Sequence, residues 1–441
     1  MGGVGRAQLS VAASVGSKVW ESEMAESDFE FMREILSAPS PVGLEAAMTE
    51  GVLAPAFEEF APEGWEVKRY AGSASLVVDS DPGNPSNKPT VMVCGHADKI
   101  RMQVRSIDAS GKVYIQSDSY LPSTLLGNEV VLYSEDPESP GAYRALKGAT
   151  VEALGAIHFA PPAMRSGDAG VKPESLFLEF HVHGENGKDA VESLGIRPGD
   201  PILLDRPIQK GVWPNTFTGA YLDNGLGCFV TAQLAKGLAQ NPDPLDDVRV
   251  LFAFAAYEEI GRFGSRVLVG EENPDVLIAV DVNHDYAAAP NVGDKRYQPL
   301  TMGKGATLAS GSIASEALNS LIMTAAKNAP HGPIPVQRDV NGVDTGTDAM
   351  AGVLAAQDVA ATSIGFPTRS MHTVSESAST HDVLAAVALI DASIRHMSDS
   401  GFTVDTLKSS HPRLDLATPL VVPTDIHLKK KKKDEAKDKT Q

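Results

Sequence analysis

Two adjacent carboxylates, Glu258 and Glu259, follow an apolar run at 248–255, from which only Ala256 and Tyr257 separate them. The run has the length and composition of a buried strand. Charged side chains are rarely buried without partners, and neighbouring carboxylates repel each other unless a cation lies between or beside them. The pair therefore predicts a site at which cations compensate the acids.

Further potential metal ligands stand at the ends of other predicted elements, namely His96, Asp223, Asp281 and His372. Because open α/β sheets bind ligands outside the carboxyl ends of their strands, these side chains can converge at one edge. Two divalent ions held by such ligands can share a hydroxide and polarise a scissile carbonyl. The constellation predicts a two-metal hydrolase and favours a metallopeptidase.

Each ligand position also has an ordinary structural explanation when it is taken alone. Asp223 and Asp281 could be capping or turn residues, and a lone histidine at a strand end is more often not a ligand. The joint occurrence favours the metal site, and Asp98 could fix the tautomer of His96 by accepting its other N–H. The sequence contains no H-E-x-x-H, P-loop or G-x-S-x-G motif.

Other histidines are weaker candidates. His181 and His183 would share one face of a predicted strand, but no carboxylate cluster lies near them in sequence, which favours an ordinary surface pair. His284 and Asp285 could line a substrate pocket, with solvated loop residues as the equal alternative.

The elements that position these residues alternate between strands and helices. Apolar periodicity predicts strands at 74–79, 89–95, 248–255, 276–282 and 361–366, and helices at 27–36, 44–60, 224–238, 314–328 and 381–397. This alternation predicts an α/β fold with a mostly parallel central sheet flanked by helices.

Between residues 99 and 207 the pattern changes to short alternating strands and turns, which predicts an inserted β domain. Its predicted strands include 155–163 and 176–183. The α/β domain would then comprise 24–98 and 208–411, with His96 before the insert and the other ligands after it.

Composition narrows the class of partner and the compartment. The formal net charge is −19 over 441 residues, which argues against nucleic acid or an anionic membrane as the main partner. Two cysteines without C-x-x-C spacing indicate a reducing compartment, and no apolar run approaches the ~20 residues that span a bilayer. We expect a cytoplasmic protein with a disordered extension at 1–23 and a lysine-rich tail at 412–441.

The order of the motifs resembles the M42 family of metallo-aminopeptidases, the tetrahedral or deblocking aminopeptidases, some of them labelled "cellulase M", within the M20/M28/M42 group. The matching segments are SPVGLE (40–45), GHADKI (95–100), GAIHFAPP (155–162), GIRPGDPI (195–202), TGAYLDNGLGC (218–228), YEEIGRFGS (257–265), AVDV (279–282), GTDA (346–349) and PTRSMHTVSE (367–376).

The resemblance implies a role for each residue of the constellation. His96, Asp223 and Asp281 would bind one metal ion, and Asp223, Glu259 and His372 would bind the other, with Asp223 bridging. Glu258 would be the general base and Asp98 the partner of His96. The ions would be Zn²⁺ or Co²⁺, with Mn²⁺ as a further candidate. Short peptides would lose their N-terminal residues by attack of metal-bound hydroxide. The resemblance also implies a homo-oligomer, a dodecamer built from dimers, with a PDZ-like or barrel-like insert that helps assembly.

The chain departs from the family pattern at three places. Lys99 replaces the usual acid after H-x-D, Asn224-Gly225 replaces the Asp-Arg of a D-D-R run, and Asp344-Thr345 replaces a glycine pair. If Lys99 and His284 faced the pocket they would contact substrate, and Lys99 would favour acidic side chains. If Lys99 instead faced the insert, it would be a solvated or salt-bridged residue.

Three other functions remain open on the sequence alone. A metal-dependent amidase or deacylase acting on N-acylated amino acids would use the same ligands. A glycosidase would need opposed carboxyl groups across a sugar rather than adjacent ones. A non-catalytic assembly or scaffold protein could retain the fold, although the complete ligand set argues against it.

Overall fold

The structure is a computed structural model that describes residues 19–117, 119–153, 157–166, 170–183, 186–289 and 299–408. Residues 1–18 of the predicted extension and all of the predicted lysine-rich tail lie outside this range. Among the described helices, none combines the length and apolar character that crossing a membrane requires.

The strands define three sheets. In chain order they are β1 (Glu66–Tyr70), β2 (Ser75–Asp79), β3 (Thr90–His96), β4 (Met102–Ile107), β5 (Val113–Ser117), β6 (Glu129–Asp136), β7 (Ser139–Glu152), β8 (Phe177–Glu179), β9 (Pro201–Leu204), β10 (Gln209–Lys210), β11 (Thr216–Gly219), β12 (Arg249–Ala255), β13 (Val276–His284), β14 (Ala306–Gly311), β15 (Val336–Asn341), β16 (Ala360–Thr368) and β17 (Glu376–Ser379).

The central sheet has the order β1-β2-β12-β3-β13-β16-β14-β15 within the described residues. Its middle strands β12, β3, β13 and β16 run parallel, and antiparallel pairs join β1 to β2, β2 to β12 and β14 to β16. β3, β12 and β16 are buried along their whole length, which explains why they appear in the sequence as continuous apolar runs. The α/β prediction is confirmed.

Helices cover both faces of this sheet. The α-helices of the described residues are, in chain order, α1 (Glu26–Ser37), α2 (Ala46–Met48), α3 (Ala54–Phe60), α4 (Pro122–Leu125), α5 (Pro162–Ser166), α6 (Gly187–Glu192), α7 (Leu222–Gln240), α8 (Phe263–Glu272), α9 (Glu316–Lys327), α10 (Ala351–Leu354), α11 (Thr380–Ser400) and α12 (Val404–Lys408). Of these, α4, α5 and α6 lie in the segment between β3 and β10. α7 and α11 pack on one face with α1 and α9, while α8 and α10 pack on the other.

Most predicted helices are present with small boundary shifts, but the helix predicted at 44–60 is interrupted. A π-helical segment, Thr49–Leu53, separates α2 from α3, and Pro55 lies in the first turn of α3. Proline has no N–H to donate and crowds the preceding turn, so a regular helix cannot run through it.

The segment between β3 and β10 contains a closed barrel of β4-β5-β8-β7-β6-β9. Closure leaves no free sheet edge, and the barrel encloses its own apolar core. Of the strands predicted within this segment, the one at 155–163 is wrong and the one at 176–183 is too long. Residues 157–159 form a 3₁₀ helix that precedes α5, and β8 ends at Glu179, which leaves His181 and His183 exposed beyond the strand.

A small third sheet, β10-β11-β17, connects the barrel to the site. Its register pairs Gly219, just before α7, with Glu376 in β17. This pairing brings the segment that carries Asp223 next to the loop that carries His372.

Candidate active site

The predicted ligands meet at the carboxyl edge of the parallel strands. His96 is the last residue of β3 and pairs in register with Ala255 at the end of β12. Asp281 lies in β13, beside Gly365 of β16. Because these strands are neighbours and parallel, their ends deliver the side chains to one place. We call His96, Asp223, Glu259, Asp281 and His372 the ligand cluster.

Asp223 lies at the centre of the ligand cluster. Its Oδ1 is 3.2 Å from Nε2 of His96, and its Oδ2 is 3.1 Å from Nε2 of His372. Nε2 of His96 is also 3.9 Å from Oδ1 of Asp281, and Nε2 of His372 is 3.9 Å from Oε1 of Glu259. Each histidine therefore faces Asp223 and one further carboxylate of the cluster.

These residues fit divalent metal ions. Ligand atoms that each lie about 2.1 Å from a tetrahedral ion are separated by about 3.4 Å, close to the distances observed here. His96, Asp223 and Glu259 can bring one ligand atom each within 4.8 Å of one another. Oε1 of Glu259 is buried without a hydrogen-bond partner among the described residues, as expected for an atom that awaits a cation.

Among the described residues, no lysine or arginine forms an ion pair with Glu259 or Asp281. Burial raises the pKa values of Glu259 and Asp281 well above their ordinary range, and the nearby Asp223 carboxylate adds to the effect. Burial also raises the pKa of Glu258 to about 7. Acids in such surroundings need either protons or cations, and a bound dication reverses the direction of these shifts.

The pKa values of Asp223 and the two histidines shift in the direction that favours their charged forms, because these side chains bond to one another. Burial opposes ionisation of Asp223, but hydrogen bonds from His372 and His96 outweigh it and lower the pKa of Asp223. Burial likewise disfavours protonated His96 and His372, yet their bonds to Asp223 raise both imidazole pKa values. Metal binding requires neutral imidazole, so a bound ion would take the place of these protons.

Asp98 links two parts of the site. Its Oδ1 is 3.4 Å from Nδ1 of His96, whose ring also approaches the Asp98 main-chain oxygen at 3.2 Å. The same carboxylate accepts the main-chain N–H groups of Glu258 and Glu259, both at 3.0 Å. Asp98 thus orients a histidine and the adjacent glutamates together.

Main-chain contacts fix the spacing behind the cluster. A Cβ atom on Gly95 would lie 2.5 Å from the Gly227 carbonyl carbon, and a Cβ atom on Gly227 would lie 2.4 Å from the Val280 oxygen. A Cβ atom on Gly365 would lie 2.0 Å from the Asp281 oxygen. The elements that carry His96, Asp223 and Asp281 are therefore in direct backbone contact, with the side chain of Asn224 donating to Val280 O at 2.7 Å.

Glu376 is a residue to which the sequence analysis gave no role. Its Oε1 accepts the N–H of His372 at 2.7 Å, and its Oε2 accepts those of Leu222 and Asp223 at 2.6 and 3.3 Å. One buried carboxylate therefore holds the backbone of two ligand-bearing segments. Its position four residues after His372 was the available signal, but its partners are main-chain groups that no side-chain pattern reveals.

The hypothesis that Lys99 faces the substrate pocket is wrong, because its side chain is buried against the end of α1. Lys99 Nζ donates to Leu36 O at 2.8 Å and to Ala38 O, and it lies 5.4 Å from the Tyr221 ring centroid. It donates to carbonyl groups at the C-terminal end of α1, where the helix has no further N–H groups to offer. Gly225 adjoins the same place, since a Cβ atom there would lie 3.0 Å from Leu36 Cγ.

The two candidates beyond Asp281 differ from each other. Asp285 is buried and accepts from Arg369 Nε at 2.7 Å, which gives it a structural partner. His284 is exposed, with its ring centroid 5.8 Å from that of Tyr286. A substrate contact by His284 stays a prediction.

Comparisons with known proteins agree with this geometry. The sequence profile of the M42 glutamyl aminopeptidase family matches residues 76–389. A lysyl aminopeptidase of Pyrococcus furiosus is 26% identical over 385 residues, covering 85% of this chain and 99% of its own. A glutamyl aminopeptidase of Lactococcus lactis subsp. cremoris is 28% identical over 320 residues, covering 71% and 82%.

Solved structures share the fold. The TET aminopeptidase from the marine sediment archaeon Thaumarchaeota archaeon SCGC AB-539-E09 superposes with a TM-score of 0.73 at 22% identity, over 88% of this chain and 100% of that one. PhTET1-12s, solved with a dodecamer in the asymmetric unit, gives a TM-score of 0.66 at 19% identity, over 84% and 98%.

Proposed function

The chain belongs to the M42 glutamyl aminopeptidase family, and on that premise we propose that it uses two divalent metal ions to release N-terminal residues from short peptides. The observation that carries the two-metal proposal is the position of Asp223. Its two carboxylate oxygens lie 3.2 and 3.1 Å from Nε2 atoms of two different histidines. This is the arrangement that a bridging ligand requires.

In this proposal each side of Asp223 is one ion site. His96, Asp223 and Asp281 would hold one ion, while Asp223, Glu259 and His372 would hold the other. Divalent ions bound there would acidify a water molecule and polarise the scissile carbonyl. Mixed imidazole and carboxylate ligands suit Zn²⁺ or Co²⁺, with Mn²⁺ as a further candidate.

Glu258 is our candidate for the general base. Its Oε2 lies 3.9 Å from Nε2 of His96, beside the ligand cluster, and neither proposed triad uses this carboxylate. A carboxylate there can accept the proton of the attacking water and pass it to the leaving amine. Asp98 supports this role because it fixes the main-chain N–H groups of Glu258 and Glu259.

The decisive experiment combines metal analysis with substrates. Purified protein should contain two divalent ions per chain and should hydrolyse aminoacyl-anilides in preference to N-acylated amino acids. Glu258→Gln should retain both ions and lose about 10²–10⁴-fold in rate, since the amide cannot accept the proton. Near-normal turnover by the Gln variant with full metal occupancy would show that Glu258 is not the base.

We further propose that the protein assembles into a homo-oligomer, as the dodecameric PhTET1-12s does, and that the insert predicted at 99–207 helps assembly. The described barrel supports an interface role because it has its own core and lies outside the ligand cluster. Light scattering should give a mass many times 46.5 kDa. A fully active monomer at micromolar concentration would contradict this part of the proposal.

A further inference from the structure

Arg262 stands at the turn that follows the two glutamates and points back towards them. It precedes α8 with a φ of 60°, and its main-chain N–H donates to Glu258 O at 3.0 Å. Because this turn folds the chain over, the guanidinium group lies beside the Glu258 carboxylate. Arg262 Nε donates to Oε1 of Glu258 at 3.1 Å.

The two oxygens of Glu258 therefore have different environments. Oε1 is taken by Arg262, and Oε2 faces Nε2 of His96 at 3.9 Å. A carboxylate at the end of a glutamate side chain can otherwise rotate, since its terminal torsion has a broad, roughly two-fold profile. The bond to Arg262 selects the orientation in which Oε2 is directed at the ligand cluster.

Arg262 is itself held by a residue from a different part of the chain. Its Nη1 donates to Oδ2 of Asp344 at 2.9 Å, and the other oxygen of Asp344 accepts the Gly346 N–H at 2.8 Å. A second contact fastens the same two segments together, because Ser265 Oγ donates to Oδ1 of Asp348 at 2.5 Å. The loop that follows β15 thus anchors the guanidinium.

We infer that Arg262, held by Asp344, is a positioning residue that fixes the carboxylate of Glu258 for its reaction with water. The inference rests on the proposed role of Glu258. Arg262 is suited to the task because its planar guanidinium presents separate N–H groups to the two acids at once. Asp344 stands where the M42 family pattern has glycine. The contact from Asp344 through Arg262 to Glu258 is therefore not part of that pattern.

The structure also indicates which effect dominates. The side chains of Arg262 and Asp344 are 20% and 46% exposed, so solvent screens their ion pair and its contribution to stability is small. Their effect should therefore appear in the geometry of Glu258 and in the rate, rather than in the folding free energy.

The test measures kcat, KM and metal content for Arg262→Ala, Arg262→Lys and Asp344→Ala on glutamyl, lysyl and leucyl anilides. Arg262→Ala should lower kcat by about 10- to 100-fold on every substrate, the cost of a misplaced group, with metal content intact and KM changed less than about twofold. Arg262→Lys should restore part of the rate, because an ammonium can replace one contact but not the planar pair. Asp344→Ala should give a smaller loss and add nothing in the Arg262→Ala background.

Arg395 provides the matched control. Its Nε donates to Asp391 at 2.9 Å, four residues earlier on α11, so it forms the same type of ion pair without contact to Glu258. Arg395→Ala should leave kcat unchanged. If Arg262→Ala does not fold, Asp344→Ala in its exposed loop carries the test, and an unchanged kcat there overturns the inference.

Three other results would overturn the inference. They are an unchanged kcat for Arg262→Ala, a parallel loss of metal, and a rise in KM confined to glutamyl substrates, which would make Arg262 a substrate contact. Failure of the proposed function looks different. In that case Glu258→Gln itself keeps wild-type kcat, whereas an inactive Glu258→Gln beside a normal Arg262→Ala rejects the positioning role alone.

Discussion

The two ends of β12 collect buried carboxylates in opposite ways. At its start, Arg249 binds Asp79 through two bonds of 3.0 and 2.6 Å, and Lys68 lies 2.8 Å from Asp79 and 3.0 Å from Glu272. We call Lys68, Asp79, Arg249 and Glu272 the paired cluster. Beyond the other end of the strand lie Glu258, which pairs with Arg262, and Glu259 of the ligand cluster. Among the described residues, no lysine or arginine forms an ion pair with a carboxylate of that cluster.

The difference shows in the ionisation of the acids. Burial alone would raise the pKa of Asp79, but bonds from Arg249 and Lys68 reverse the effect and lower it. In the ligand cluster, burial raises the pKa values of Glu259 and Asp281 with no such reversal. Lysine and arginine compensate the acids at the start of β12, whereas Glu259 and Asp281 have no such partner among the described residues, which favours the proposed cation site beyond its end.

Among substitutions that test the difference between the two clusters, we expect the largest loss of activity for a change at Asp223. Asp223→Asn removes the anionic oxygens shared by the two proposed ion sites, so bound metal and activity should fall together. We expect kcat/KM to fall by at least about 10³-fold, equivalent to ~4 kcal/mol in the barrier. Elemental analysis beside kinetics checks this, and two tightly bound ions in the variant would contradict the bridging role.

The matching change in the paired cluster should have the opposite signature. Asp79→Ala leaves Arg249 buried without its bidentate partner, which should cost about 3 kcal/mol of unfolding free energy, at the lower end for a broken buried pair because Glu272 remains. Metal content and kcat of the folded protein should not change. Urea unfolding with metal analysis separates the two clusters, and loss of metal in Asp79→Ala would erase the distinction.

Glu376 is a buried acid outside both clusters that holds the backbone of His372 and Asp223 in the ligand cluster. Glu376→Gln replaces one accepting oxygen with an NH₂ group that must face a main-chain N–H. We expect about 10- to 100-fold weaker metal affinity, the usual cost of losing support for a ligand. Titration against a competing chelator measures this.

Asp382 is the control for Glu376. It is a buried acid that accepts the N–H groups of Gly303 and Gly305 at 2.6 and 2.7 Å, away from the ligand cluster. Asp382→Asn should lower stability and leave metal affinity unchanged. Equal affinity losses in both variants would show that burial of an acid, rather than support of the ligand loops, causes the effect.

The last effect, on the pH dependence of stability alone, concerns Glu45, a buried acid that belongs to neither cluster. Its Oε2 has no hydrogen-bond partner among the described residues, and burial raises its pKa from 4.5 to about 7. The folded protein therefore binds more protons than the unfolded chain between these values, so the contribution of Glu45 to stability is lost as pH rises from 4.5 through 7. Each unit of displacement corresponds to about 1.4 kcal/mol.

Glu45→Gln should flatten this part of the stability profile. The melting temperature of the wild-type protein should fall more between pH 5 and pH 8 than that of the variant, since the amide does not titrate. Other groups contribute to both profiles, and the difference between the proteins isolates Glu45. Parallel profiles would mean that Glu45 ionises alike in both states.

The sequence grouped the proposed ligands correctly in space wherever a strand end determines their position. Continuous apolar runs located β3, β12 and β13, and parallel neighbours must bring their ends together, so His96, Glu259 and Asp281 could be grouped before any coordinates were known. The helix that starts near Asp223 was also predicted from its apolar residues, which are frequent along its whole length.

What the sequence did not reveal depends on contacts between side chains and distant main-chain groups. Glu376 binds three N–H groups, and Lys99 binds two carbonyls at the end of α1. Neither kind of partner has a residue-type signature. The proximity of Lys99 to a predicted ligand suggested a pocket role, but Lys99 lies three residues beyond the end of β3 and its side chain points to the end of α1. The segment 155–163 resembled a strand in composition, while its prolines at 161 and 162 favour the turn and short helix described here.

The backbone contacts at Gly95, Gly227 and Gly365 have a consequence for ion size. Side chains behind a metal site normally act as a yielding layer that can repack by a few tenths of an ångström. Here peptide groups touch peptide groups, so the segments behind His96, Asp223 and Asp281 have no room to move closer together. An ion that needs longer bonds, such as Ca²⁺ at 2.3–2.6 Å, would have to push against the main chain itself. Discrimination against large cations would then come from the backbone packing of the sheet, in addition to the chemical preference of the ligands.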